Sequence, residues 1–208
     1  KWESGRIVEG MYGGRLKVEY EKGDVSEAES TVFRVDLTAP SALVTADVAI
    51  FSPNGDGNKD VVKFAQESSE EQVWEGIVRD EQGKEIVRLR WRLKVDREYV
   101  WDGRDADGAL VRDGKYVYGL ISIDGAGNTG RSADVWLEMD TRMTPVLVST
   151  DVANFSPNGD GSKEIVRLVG GLGVAGGVET YEYRIRDTRD VIVKSVTGMG
   201  EVPGSIEW

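Results

Sequence analysis

Apolar and polar residues alternate over short stretches along the whole chain. "TVFRVDL" sets Val32, Arg34 and Asp36 against Phe33, Val35 and Leu37, and "EYRIR" and "KYVYGLISI" are rich in Tyr, Ile and Val with nearly the same two-residue period. Turn signals punctuate these runs at short intervals: "NGDG", "DEQG", "DADG", "RDG" and "DGAGN". The one weak helical candidate, "SSEEQVWEGIV", ends in Val and Ile and suits a strand better. Many short strands with such punctuation predict an all-β protein built as an antiparallel β-sandwich.

The pattern repeats. "FSPNGDGNKD" from Phe51 recurs as "FSPNGDGSKE" from Phe155, an offset of 155 − 51 = 104 residues. The same offset lays Gly10 over Gly114, Tyr12 over Tyr116, Leu16 over Leu120, Gly23 over Gly127 and Asp36 over Asp140. "WEGIVRD" from Trp74 resembles "YEYRIRD" from Tyr181, and Trp208 falls where Trp101 predicts a tryptophan. The chain therefore divides into residues 1–40, the closing part of a module beginning near Trp2, then 41–144, a complete module, then 145–208, the opening part of another. Each partial copy exposes unpaired edges, which predicts poorly packed ends or completion between chains, tail to head.

The complete unit runs "FSPNGDGNKD", "IVRDEQGKEIV", "WDGRDADGALVRDGKYVYGL", "DGAGN". In this it resembles the immunoglobulin-like domain of the flagellar hook-capping protein family, a module found in tandem in bacterial secreted and surface proteins. It is also similar to the C-terminal sorting domain of gliding bacteria, which shares "PNGDG" and the late "WDG" stretch. The resemblance implies Ig-like or FnIII-like β-sandwich modules in tandem, and a non-catalytic role. A sorting domain ends its chain, whereas here the motif recurs. The junctions "DLTAP" and "RMTP" look like linkers between tandem sandwich domains, with proline fixing φ at the joint.

Composition narrows the function. With neither Cys nor His there is no disulfide, no thiolate metal site and no Ser-His or Cys-His catalysis. Any enzyme would have to run on carboxylates, Lys or Tyr, so a non-enzyme is expected. A net charge of −11 argues against nucleic acid and anionic membrane, both of which need clustered cations. No apolar run approaches a membrane span. The start "KWESGRIVEG" has no signal core, so the sequence is read as a mature segment or fragment, any export signal lying outside it.

Candidate chemistry centres on the repeated loop. Asn54, Asp56, Asn58 and Asp60 alternate along one copy; Asn158, Asp160, Ser162 and Glu164 do so along the other. Alternate side-chain oxygens threaded with glycine suit calcium, which takes six to eight hard oxygen ligands. The match to an EF-hand is incomplete. Ser52 and Ser156 hold the place of the first acidic ligand, Lys63 and Arg167 that of the bidentate Glu, so Asp47, Asp151 or carbonyls would have to help. The other reading is a metal-free corner of Asx-turns, anchored by Phe51 and Phe155. A second acidic group, Asp102, Asp105, Asp107 and Asp113, shares one turn-rich hairpin and reads as solvated turn residues, ahead of a calcium contact or catalytic pair.

Exposed aromatics can stack on sugars, but Trp101, Trp208 and Trp74 recur with the module and read as core or corner. Trp91 and Trp136 have no aromatic counterpart, Val32 lying near the place matching Trp136, and are the candidates for an exposed surface. The expected function is a spacer, presentation or assembly segment of a larger bacterial exported protein, outside the cell or in the periplasm, with neighbouring modules or copies of itself as partners. The alternatives are an adhesion or glycan-binding module attached to a secreted enzyme, and a sorting domain.

Overall fold

The computed structural model describes residues 7–174 and 176–208; Trp2 lies outside them. Among the described residues every regular element is a strand. The first four, β1 (Gly10–Tyr12), β2 (Arg15–Glu19), β3 (Val25–Glu29) and β4 (Phe33–Val35), form two antiparallel ribbons, β1 with β4 and β2 with β3. Then come β5 (Ala42–Ala46), β6 (Ile50–Phe51), β7 (Val62–Ser68), β8 (Glu71–Asp80), β9 (Glu85–Leu93) and β10 (Glu98–Trp101). The next three are β11 (Gly114–Ile123), β12 (Thr129–Arg131) and β13 (Val135–Met139). The last are β14 (Val146–Thr150), β15 (Arg167–Leu172), β16 (Thr180–Arg186), β17 (Ile192–Met199) and β18 (Ser205–Glu207). The chain divides into two compact units between Thr141 and Arg142.

Strands β5 to β13 make a complete sandwich. One sheet runs β10-β7-β5 and the other β6-β13-β11-β8-β9, with β12 on the end of β11. This is the strand order of an Ig/FnIII-like fold. The predicted antiparallel pairing holds in every described ladder but β6–β13, which is parallel. Its cause is local. Asp47 accepts the Lys63 amide at 2.9 Å where β5 ends, and the chain then crosses to the second sheet, where Glu138 N–H donates to the Ala49 carbonyl.

Alternation fills the space between the sheets. Val62 and Phe64 from one sheet, and Trp74, Val78, Tyr118 and Leu120 from the other, are buried almost completely. Phe64 and Tyr118 pack ring to ring with centroids 4.4 Å apart, and Tyr99 joins them. Gly76 makes room for this cluster: a Cβ there would meet the Tyr118 hydroxyl at 2.5 Å and the Trp91 ring at 2.7 Å. The Tyr118 hydroxyl donates to buried Gln66 at 2.8 Å, supplying the partner a buried phenol needs.

The remaining strands reproduce parts of this sandwich in the same register. Gly10↔Val35 and Tyr12↔Phe33 stand 104 residues before Gly114↔Met139 and Tyr116↔Leu137. Val146↔Leu172 stands 104 after Ala42↔Ser68. Tyr181↔Gly198 follows Trp74↔Trp91 by 181 − 74 = 107, and both ladders carry a register shift near their far end, at Ile185/Arg186 and at Val78/Arg79. Residues 10–35 thus carry the equivalents of β11 to β13. Residues 146–207 carry those of β5 and β7 to β10.

Candidate functional site

The two Asn-Gly-Asp-Gly corners are built alike. In the first, Asp60 accepts the amides of Gly55 and Gly57 at 2.7 and 2.8 Å, one on each carboxylate oxygen. Asp56 accepts Asn58 N–H at 2.7 Å, and Asn54 accepts Asp56 N–H at 3.0 Å while its own amide donates back to the Asp56 carboxylate. In the second, Glu164 takes the part of Asp60, receiving Gly159 and Gly161 at 3.0 and 2.9 Å. Asp160 accepts Ser162 N–H at 2.8 Å and Asn158 accepts Asp160 N–H at 3.1 Å. The glycines adopt left-handed φ of 82° and 87° in one corner and 82° and 80° in the other, which lets their amides turn inward to a single carboxylate. Asn58 and Ser162 enter these networks through their backbone amides.

Charge follows from these bonds. The Asn58 amide, then the Asn54 side chain, hold the Asp56 carboxyl below the ordinary aspartate range. The Ser162 amide and Asn158 do the same for Asp160. Below each corner an aromatic pair repeats, Phe51 with Trp101 and Phe155 with Trp208, both at 5.4 Å between centroids. Asp47 and Asp151 lie at the strand ends, accepting the amides of Lys63 and Arg167. Among the described residues no three acidic side chains converge as ligands for one ion.

Asp102, Asp105, Asp107 and Asp113 are not gathered into one site. Asp105 caps a hairpin by accepting Asp107 and Ala109 amides. Asp102 accepts Arg104 N–H. Asp113 reaches across to Thr141, accepting its amide and its hydroxyl, both at 2.9 Å. The cap around Asp105 recurs at Asp80, Asp124 and Asp187, each accepting the amides two and four residues on. A sequence pattern Asp-x-x-Gly marks three of the four, and Asp190 replaces the glycine in the last.

Two functional contacts escaped the sequence reading. Glu9, over Asp113 in the repeat, accepts the Leu37 amide and the Thr38 hydroxyl, so an acid at the start of one strand latches the junction after the module in both copies. Tyr12 and Tyr116 donate their hydroxyls to the carbonyls of Val8 and Arg112, four residues upstream, at 2.7 and 2.6 Å. These are tyrosine corners of the Ig type. The aligned Tyr12 and Tyr116 were the available signal.

The aromatic candidates separate. Trp136 is 55% exposed on the outer face of its sheet, opposite Val117. Trp91 pairs with buried Trp74, packs against the core and donates its indole N–H to Asp96. Cross-strand register therefore places the two on opposite faces, and Trp91 does not belong to an exposed surface.

No family model and no curated protein matches the chain. Among solved structures, it is similar to a tetra-tandem repeat in the extending region of a large adhesion protein, at 14% identity and TM-score 0.39, covering 97% of this chain and 48% of that one. It is similar at 16% identity and TM-score 0.38 to dimeric latent PorU from Porphyromonas gingivalis, covering 65% of this chain and 13% of that one. A 1.5-MDa bacterial ice-binding adhesin is similar at 12% identity and TM-score 0.33, covering 95% and 62%. The chain thus spans about half or less of the first two. Likenesses this weak say nothing of activity, and the fold assignment stands on strand order and register.

Proposed function

We propose that the chain is a non-catalytic stretch of tandem Ig-like sandwiches, serving as a spacer or assembly segment of a larger bacterial exported or cell-surface protein. One observation carries this reading: the same sandwich register, corner and junction latch recur at a fixed spacing. Chemistry that recurs with the module serves the module. The acid-to-linker bonds at Glu9 and Asp113 fix the chain where one sandwich gives way to the next, which suits a spacer whose joints hold direction. The hook-capping and sorting-domain resemblances and the adhesin likenesses agree with a surface setting without establishing it. The test is accessibility in the native cell. Antibody raised against residues 41–141 should label intact cells and protease should remove the epitope; an epitope reached only after lysis would end the surface reading.

Calcium enters this proposal as a stiffener of a corner that already closes through its own hydrogen bonds. The oxygens of Asn54, Asp56 and Asp60, and of Asn158, Asp160 and Glu164, each retain acceptor capacity beyond the amides they receive. Calorimetric titration should show calcium binding and a rise in melting temperature, both reduced by Asp56→Ala. Absence of heat and of any shift would remove the metal and leave the corner. A glycan-binding role is favoured only by exposed Trp136, and Trp136→Ala on a glycan array tests it.

A further inference from the structure

In the complete sandwich β11 and β13 cover the groove between β8 and the β5–β7 sheet. In residues 142–208 the equivalents of β5, β7, β8, β9 and β10 are present, but nothing in that unit plays the part of β11 or β13. Two features mark the gap. An apolar groove of about 460 Å³ lies open between Val148, Leu168, Leu172, Val178, Tyr181 and Tyr183. And Asn154–Phe155, which correspond to β6, form no ladder, because β6 exists only by pairing with β13.

We propose that a second copy of this chain fills the groove with its residues 7–40, the strands that correspond to β11, β12 and β13. The register follows from the β8–β11 ladder, in which Tyr118↔Val78, Leu120↔Gly76 and Ser122↔Trp74 are paired. Shifted by 104 and 107 residues, it sets Gly14 opposite Ile185, Leu16 opposite Tyr183 and Val18 opposite Tyr181. Lys17 then faces Glu182, an opposite-charge pair. Leu16 and Val18 are exposed in their own ribbon, at 63% and 36%, and would become core. The second contact pairs Arg34 and Val35 in parallel with Asn154 and Phe155, as Glu138 and Met139 pair with Ile50 and Phe51.

Side-chain size identifies the occupant. In the complete sandwich the large residue comes from β11: Tyr118 lies over Gly76 and bonds Gln66. In residues 142–208 all three positions are inverted. Tyr183 stands for Gly76 and Gly170 for Gln66, and a Cβ on Gly170 would lie 2.1 Å from the Tyr183 hydroxyl. Tyr183 therefore fills, from its own strand, the space Tyr118 fills from β11. Any covering strand must carry a small residue at the Tyr118 position. Residues 7–40 carry Gly14 there. The fit is head to tail, so each copy offers one groove and one set of covering strands, and assembly is open-ended. This inference rests on strand correspondence and not on the surface role, so either can fail alone.

Size-exclusion chromatography with light scattering on residues 1–208 tests it. Mass should rise with concentration in steps of 22.9 kDa; a constant 22.9 kDa at millimolar concentration would overturn the proposal. Gly14→Tyr should return the protein to monomer by clashing with Tyr183. Because a misfolded variant would also lose assembly, each variant is then mixed with another. Gly14→Tyr, whose groove is intact, should form a 1:1 dimer with Leu168→Glu, whose covering strands are intact, though each alone is monomeric. Gly14→Tyr combined with Tyr183→Gly and Gly170→Gln should assemble again. Failure of both mixing and rescue would show that the groove takes something other than this segment.

Discussion

At the scale of single residues, much of the polar chemistry serves to close turns. Asp80, Asp105, Asp124 and Asp187 each gather backbone amides that would otherwise be left unpaired, which is why Asp stands at the head of each hairpin. The Asn128 side chain first, then backbone amides, hold the Asp124 carboxyl below its ordinary range; for Asp187 the Val191 amide is the main cause. A carboxyl whose folded pKa is depressed takes up protons more readily when unfolded. Its contribution is complete above the ordinary aspartate value of 3.8 and is lost as pH falls through the lower folded value. Melting temperature should thus stay level from neutral pH to about 5 and drop below about 4, with Asp124→Asn and Asp187→Asn reducing that drop; an equal acid loss in the variants would refute the assignment. Tyr116→Phe removes the bond to the Arg112 carbonyl and should cost about 1 kcal/mol, read by urea denaturation. The Asp and Gly positions were legible in the sequence. That Asp113 reaches Thr141, 28 residues on, was not, because only the folded hairpin brings them together.

Among the elements, the junction before the complete sandwich is held by more than its own sequence. The Asn128 side chain donates to the Asp36 carbonyl at 3.1 Å. Gly130 on β12 sits so close to Pro40 that a Cβ there would meet the Pro40 carbonyl oxygen at 1.9 Å. Gly130→Ala must push the linker off the sheet and should cost about 1–3 kcal/mol. Hydrogen exchange should rise at β12 and at Ser41 and Ala42 while Trp74 and Tyr118 stay protected; unchanged exchange at the linker would contradict this packing. Proline in the linker was readable in advance. Its seat on a glycine of another strand was not, since a lone Gly in "NTGRS" signals nothing until its neighbour is known. Strand alternation foretold β8 as well, overriding the polar start of "SSEEQVWEGIV".

For the whole molecule, completeness of the strand set governs stability. Residues 36–141 carry both sheets and a continuous core, and should unfold in one cooperative transition as an isolated fragment. Residues 142–208 lack the covering strands and leave Leu147 and Val148 at 74% and 64% exposure. Alone, that fragment should melt broadly and bind a hydrophobic dye, and it should gain a sharp transition when the segment 7–40 is added in trans. Two sharp, independent transitions without the added segment would show that the partial sandwich needs no completion.

By itself the sequence determined what depends on local geometry and on repetition: strand periodicity, Asp and Gly turns, the all-β class and the offset that cuts the chain into one whole sandwich and two parts. These follow from the two-residue pleat and from backbone preferences that act within a few positions. The tertiary structure alone decided which acids latch linkers and which merely cap turns, and it set Trp91 inward and Trp136 outward. It also showed the large-for-small exchange among Gly76, Tyr118, Gly14 and Tyr183. Those outcomes depend on which strands are neighbours and how much room lies between them, and distance along the chain carries no record of either.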